Sequence, residues 1–272
     1  MTTAKITAPR DPEAARPRTG GTALDRALRT ADRLASQGEN ARAVRVLQRA
    51  IDSGADFFVC TLRIAAAYRE MQRRHEALAA VEQATVHSPL DRAGWELMLD
   101  IAEEAGDRRR AVMAGRALIK ISPRHIRAHT VLSEAYLKDG DIPAALKIAD
   151  ILIRLDPASA AYHYNRALLC QHQSEIEQAV CGFIHTIWLE PDGPFSDSAR
   201  CFLQDLDILQ LSQIVTLASE DTVFRTRLLR NCREAAIARG FALSPMGEQL
   251  LEDYCEHDLI DSPPPRRVSR YH

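Results

Sequence analysis

The stretch IRLDPASA, Ile153 to Ala160, reads as the end of a helix stopped by a proline. Proline lacks an N–H and its ring clashes with the preceding turn, so a helix does not run through it comfortably. The same event recurs in VHSPLD at Pro89, KISPRH at Pro123 and WLEPDG at Pro191. From Pro89 to Pro123, to Pro157, to Pro191, each step is 34 residues. A fixed period within one chain marks a repeat architecture, in which each unit buries its apolar face against the next.

Periods of 34 residues ending two after the proline divide the chain into units 24–57, 58–91, 92–125, 126–159 and 160–193, the first with Ala55 in the proline's place. One column reads Ala43, Ala77, Ala111, Ala145 and Ala179, and the next Val44, Leu78, Val112, Leu146 and Val180. Further on stand Ile51, Thr85, Ile119, Ile153 and Ile187. A small residue beside an aliphatic one suits two closely crossing helices: the alanine admits the neighbouring backbone and the aliphatic fills the remaining gap. Each unit holds two helical stretches. Gly38, Gly106 and Gly140 share the column between them, where a left-handed residue closes the first helix.

Composition narrows the function classes. The chain has 272 residues, 46% apolar and 26% charged, with a net charge of −2. That balance is ordinary for a folded domain and argues against a dedicated nucleic-acid binder, which is usually basic. Aromatics are only 6%, so helix formers dominate. None of the six cysteines forms a C-x-x-C pair, the N-terminus carries no apolar run, and no stretch approaches the ~20 apolar residues of a membrane span. Free thiols in a reducing cytoplasm are the expectation.

The columns together resemble the tetratricopeptide repeat over residues 24–193. Trp95, His129 and His163 stand early in the first helices, Tyr68 and Tyr136 later in them, followed by the alanines and the terminal proline. The pattern departs at Ala102, which stands where Tyr136 does, and at Gly115, which stands where Phe183 does. The resemblance implies an all-α fold: a right-handed superhelical solenoid of helical hairpins whose first helices line a concave groove. It also implies a non-enzymatic adapter or assembly scaffold that takes a protein or peptide partner in that groove.

The groove stripe falls on Glu96, Asp100, Glu103 and Glu104 in the third unit, at offsets of 0, 4, 7 and 8, which put four carboxylates on one helical face. Arg127, Glu134 and Lys138 continue it in the fourth unit, Tyr164, Asn165 and Gln171 in the fifth, and Arg63 and Arg69 in the second, with Glu70 beside them. Four carboxylates on one face call for a positively charged partner segment, with Arg127 as an internal counter-charge. The lysine clamp by which some tetratricopeptide proteins hold a partner's C-terminal carboxylate is absent: Leu28, Leu62, Glu96, Thr130 and Tyr164 fill its column.

No motif for phosphate-loop, dinucleotide, zinc-protease or serine-hydrolase chemistry is present, so no catalytic residue and no cofactor are expected. The cluster Cys170, His172, Cys181 and His185 has the elements of a zinc set. The register places Cys170 in the buried tyrosine column and Cys181 beside the alanine column, so packing is expected and no metal. His129 and His163 are likewise expected to pack, and the basic run at 107–120 to be a solvated outer face.

The ends differ. Residues 1–23 and 261–272 are rich in proline and arginine and read as disordered. PPPRRVSRYH, with Arg266, Arg267 and Arg270, suits docking in an acidic groove as an autoinhibitory tail. Residues 194–260 lose the 34-residue register and read as capping or accessory helices. The 196–219 stretch reads as one or two amphipathic helices. Residues 220–240 read as a helix burying Phe224, Leu228, Cys232 and Ala235 or Ala236. A further helix starts at Ser244–Pro245 with Leu250, Leu251 and Tyr254 on its apolar face. Residues 224–251 also resemble the leader-like helical segments of bacterial ribosomally made peptide precursors. That resemblance implies an alternative role, an accessory of a maturation pathway whose C-terminal helices a partner enzyme recognises.

Overall fold

Four second helices end two residues short of a proline. The computed structural model describes residues 23–259 and is all-α, with no strand among them. The first pairs are α1 (Ala23–Ser36) with α2 (Asn40–Asp52), and α3 (Phe57–Glu70) with α4 (Arg74–His87). Next come α5 (Arg92–Ala105) with α6 (Arg108–Ile121), α7 (Ile126–Lys138) with α8 (Ile142–Leu155), and α9 (Ala160–His172) with α10 (Ile176–Leu189). Then follow α11 (Ser196–Glu220), α12 (Thr222–Arg230), α13 (Cys232–Ala238), α14 (Pro245–Asp253) and a π-helical turn, Tyr254–Asp258. The expected tails lie outside the described residues, apart from Ala23, which opens α1; so does the docking of residues 263–272.

Every hairpin turns on a left-handed residue in one column. Gly38, Gly106 and Gly140 have φ of 77°, 68° and 75°. The same column holds Gln72 at 59° and Ser174 at 62°. In an L-residue this backbone presses Cβ toward the following carbonyl and costs about 1–2 kcal/mol. Glycine removes the clash and gives back part of the gain as chain entropy. Gln72→Gly and Ser174→Gly are each expected to stabilise the fold by about 0.5–1 kcal/mol, read as a higher urea midpoint at unchanged slope. After the left-handed residue, Asp107 and Asp141 cap the second helices by accepting from Arg110 N (3.0 Å) and Ala144 N (3.1 Å).

The chain forms two compact units, one ending at Ala114 and one beginning at Gly115, so α6 contributes to both. In the first unit, α2 packs on α1 and α3, and α4 on α3 and α5. Ala43, Ala77, Ile64, Val81 and Leu99 are buried there. In the second, α8 packs between α7 and α9, and α10 between α9 and α11. Ala145 and Ala179 are wholly buried. Close helix crossings at the alanine column follow from the missing side-chain bulk.

Beyond α10 the chain changes character. The 196–219 stretch is one helix, and it buries residues on more than one face: Leu203 and Leu206 pack with Val180 and Phe183, while Ile214 and Ala218 join Phe224, Leu228, Ala235, Ala236 and Leu251. The helix expected across 220–240 is broken at Asn231. Its backbone is extended (φ −157°, ψ 96°) and its side chain accepts from Glu234 N at 3.0 Å, ending α12 and capping α13. Ser244 caps α14 as expected, accepting from Gly247 N at 3.2 Å, and Leu251 is buried. Leu250 is 46% exposed, which departs from the apolar face read there.

Two side chains of α11 hold the loop before α14. Gln210 donates to the Ala242 carbonyl at 2.9 Å and accepts from Ala242 N at 2.8 Å. Asp207, buried, accepts from Ser244 N at 2.8 Å and from Ser244 Oγ. The 224–251 stretch thus lies in three packed helices around Phe224, Leu228 and Leu251.

Candidate functional site

The first helices of unit one carry alternating charge. Asp32 of α1 pairs with Arg63 of α3. Arg69 of α3 reaches α5, where Nε lies 2.9 and 3.0 Å from the Glu104 carboxylate oxygens and Nη1 lies 3.5 Å from Asp100. Arg92 pairs with Glu96 at 2.7 Å, one turn along α5. The hydrogen bond from Arg69 holds the Glu104 carboxyl below its ordinary range, and the same bond raises the guanidinium. Glu103 is exposed and engaged as well.

Arg127 is the counter-charge expected from the sequence, and arginines of the first unit add to that expectation. Arg69 and Arg92 neutralise Glu104, Asp100 and Glu96. Sequence reasoning missed Arg92, although its i, i+4 spacing to Glu96 is a legible signal. The Asp32–Arg63 pair is exposed, while Arg69, Asp100 and Glu96 are half-buried; pairs near the surface are worth about 0–1 kcal/mol each. Pairs this weak exchange readily with charges brought by a partner.

In unit two, Glu134 and Lys138 are exposed on α7 without an ion pair among the described residues. Arg127 is exposed and engaged, Asn165 is exposed, and Gln171 is half-buried. Tyr164, half-buried, also packs inward. Its ring packs on Phe183 at 5.9 Å, Phe195 at 5.2 Å and Phe202 at 6.4 Å, and Phe195 and Phe202 come from outside the repeat register. Arg166, not singled out by sequence, links α9 to α8 and α10 by donating to Asp150 at 2.7 Å and Gln178 at 3.0 Å.

The aromatic column has a specific task. Trp95 Nε1 donates to the Pro89 carbonyl at 2.8 Å. His129 Nε2 stands 2.8 Å from the Pro123 carbonyl, and His163 Nε2 stands 3.0 Å from the Pro157 carbonyl. A carbonyl only accepts, so in both histidines Nε2 carries the hydrogen. Each ring thus ties the start of one hairpin to the turn that ends the one before. One residue out of register, Ser196 Oγ makes the same six-residue bond to the Glu190 carbonyl. Packing, expected for these histidines, describes only part of their role.

His163 also contacts His185, ring centroids 4.3 Å apart, and His185 stacks on the exposed Trp188. Burial chiefly pushes the His163 imidazole below its ordinary value, and His185 and Arg166 add to this, while the Pro157 bond opposes it. Below pH ~6.5 the unfolded chain therefore takes up a proton that the folded chain resists. This contribution to stability is intact above that pH and falls away as pH drops below it. Melting temperature is expected to fall between about pH 7 and 5.5, and to fall less in His163→Trp, which keeps an indole donor for Pro157.

The cysteine–histidine cluster does not converge. Cys170 is buried among Ala167, Val180 and Phe183, and burial raises its thiol; Cys181 and His172 are exposed. Among the described residues no three His, Cys, Asp or Glu side chains gather as a metal set, and no helix is long and apolar enough to cross a membrane.

The proline-carbonyl bonds at Pro123 and Pro157 bracket a stretch built on one repeat plan. Residues 130–184 match the tetratricopeptide repeat family model. No curated protein matches the chain. Among solved structures, YrrB, described as a TPR protein with an unusual peptide-binding site, is 17% identical with a TM-score of 0.53, over 65% of this chain and 91% of that one. MamA from Desulfovibrio magneticus RS-1, from residue 41 to its end, is 16% identical with a TM-score of 0.50, over 64% of this chain and 98% of that one. A further MamA structure is 14% identical with a TM-score of 0.52, over 62% and 92%. The likeness is one of fold: stacked helical hairpins of the tetratricopeptide type.

Proposed function

We propose that the chain is a non-enzymatic adapter or assembly scaffold that holds a peptide or protein segment against the faces of its first helices, with α11 capping the repeats. The observation that carries this is the α3–α5 face. Glu96, Asp100, Glu103 and Glu104 share it with Arg69 and Arg92, whose ion pairs lie at or near the surface. A basic partner segment gains these carboxylates by displacing Arg69 or Arg92, at a cost of about 1 kcal/mol or less per pair. The peptide-binding description of YrrB, a protein of the same fold, supports the reading.

The test is fluorescence anisotropy with a labelled ten-residue peptide of lysine, arginine and glycine. Glu96→Lys with Asp100→Lys is expected to weaken binding at least about tenfold and flatten its salt dependence, with helicity intact. Arg69→Ala, which removes the Arg69 pairs to Glu104 and Asp100, is expected to tighten it. Equal affinity in all three proteins would place the partner elsewhere.

A further inference from the structure

The break at Asn231 does more than end a helix. It opens a cleft of about 280 Å³ between α12 and α13, lined by Arg227, Arg230, Asn231, Glu234, Ala235 and Ala238. We propose that this cleft binds a carboxylate-bearing segment of a partner protein, at a site separate from the repeats.

Five arginines lie between Asp221 and Gly240, and three of them are satisfied. Arg225 donates to the Leu259 carbonyl at 2.6 Å, Arg233 pairs with Glu248 at 2.9 Å, and Arg239 pairs with Asp221 at 2.5 Å. Arg227 and Arg230 are exposed, and both line the cleft. Neither has a side-chain hydrogen bond or ion pair among the described residues. At three residues apart they project from one face of α12 and offer two guanidinium forks to one ligand. Val223, 58% exposed, precedes them at i, i+4, i+7 and extends the face with an apolar position.

The last turn of a helix favours cations for its own sake, because unpaired carbonyls gather there. That accounts for arginine at these positions and not for a cleft beside them. The cleft also contains a carboxylate. Glu234 is oriented by Asn231, whose amide donates to it at 3.2 Å. A carboxylate lining the same cleft as the two arginines disfavours a polyanion such as nucleic acid. It suits a peptide, which brings a side-chain carboxylate for the arginines and a backbone N–H for Glu234. The ligand class is therefore an acidic segment with one apolar residue to meet Val223.

The experiment uses the full chain and a labelled ten-residue peptide of aspartate and glutamate with a single leucine. A lysine peptide and a single-stranded DNA ten-mer, equally labelled, serve as competing probes. The acidic peptide is expected to bind most tightly, and to weaken as salt rises. Arg227→Gln with Arg230→Gln is expected to weaken it about tenfold, and the Glu pair of reversals about a hundredfold, each with circular dichroism unchanged. Should the reversal variant unfold, the glutamine variant alone decides. Glu96→Lys with Asp100→Lys is expected to leave acidic-peptide binding as it was, so this site and the repeat face fail independently. Equal binding by the glutamine variant, or tighter binding of the DNA, overturns the proposal.

Discussion

Gly247→Ala is expected to destabilise the protein by about 2–4 kcal/mol. A Cβ at this position would overlap Cγ and Oδ1 of Asp207 and stand 2.8 Å from Oδ2. Asp207 is buried on α11. Moving it breaks the two bonds it accepts from Ser244, and Ser244 is itself the cap of α14. An overpacked site and a buried N–H left without a partner each cost about 1–3 kcal/mol. Urea unfolding measures the sum. Asp207→Ala removes the obstacle, so the double variant is expected to lose less than the two single losses added together. A Gly247→Ala protein within about 0.5 kcal/mol of the parent would mean that α14 does not sit on α11 in solution.

Ala145→Phe is the second large effect, at about 3 kcal/mol through overpacking. Ala145 is fully buried in a cluster with Ala149 and Leu169, flanked by Tyr136, Ile142 and Leu146. Helix α8 meets both α7 and α9, so a phenyl ring at this crossing has to separate a helix pair. Thermal unfolding with far-ultraviolet dichroism reads it: a lower melting temperature with native helicity at 20 °C or so is the expected pattern. An unshifted melting temperature would remove the alanine column from the helix crossings.

The repeat plan was legible because it is periodic within the chain itself. Prolines 34 residues apart, the alanine column and Gly38, Gly106 and Gly140 each report a local demand: a helix stop, a close approach, a left-handed turn. Gln72 and Ser174 escaped this reading, because their residue types do not announce the left-handed backbone that the hairpin imposes on them. Asn231 escaped it too. The apolar period of 224–236 continues across it and masks the cap that its side chain makes to Glu234 N.

Side-chain destinations needed the tertiary structure. Residue spacing placed Glu96, Asp100, Glu103 and Glu104 on one face, yet it did not show that Arg69, 35 residues before Glu104, reaches across to pair with Glu104 and Asp100. Tyr164 shared the groove column by register, and aromatic rings from beyond the repeats drew it into packing. Asp207 and Ser244, 37 residues apart, meet only once α14 folds back on α11. Backbone turns and helix faces follow from neighbours in the chain, which the sequence states in order. Ion pairs, ring contacts and clefts form between elements distant along the chain, and their partners are chosen by where the helices come to rest.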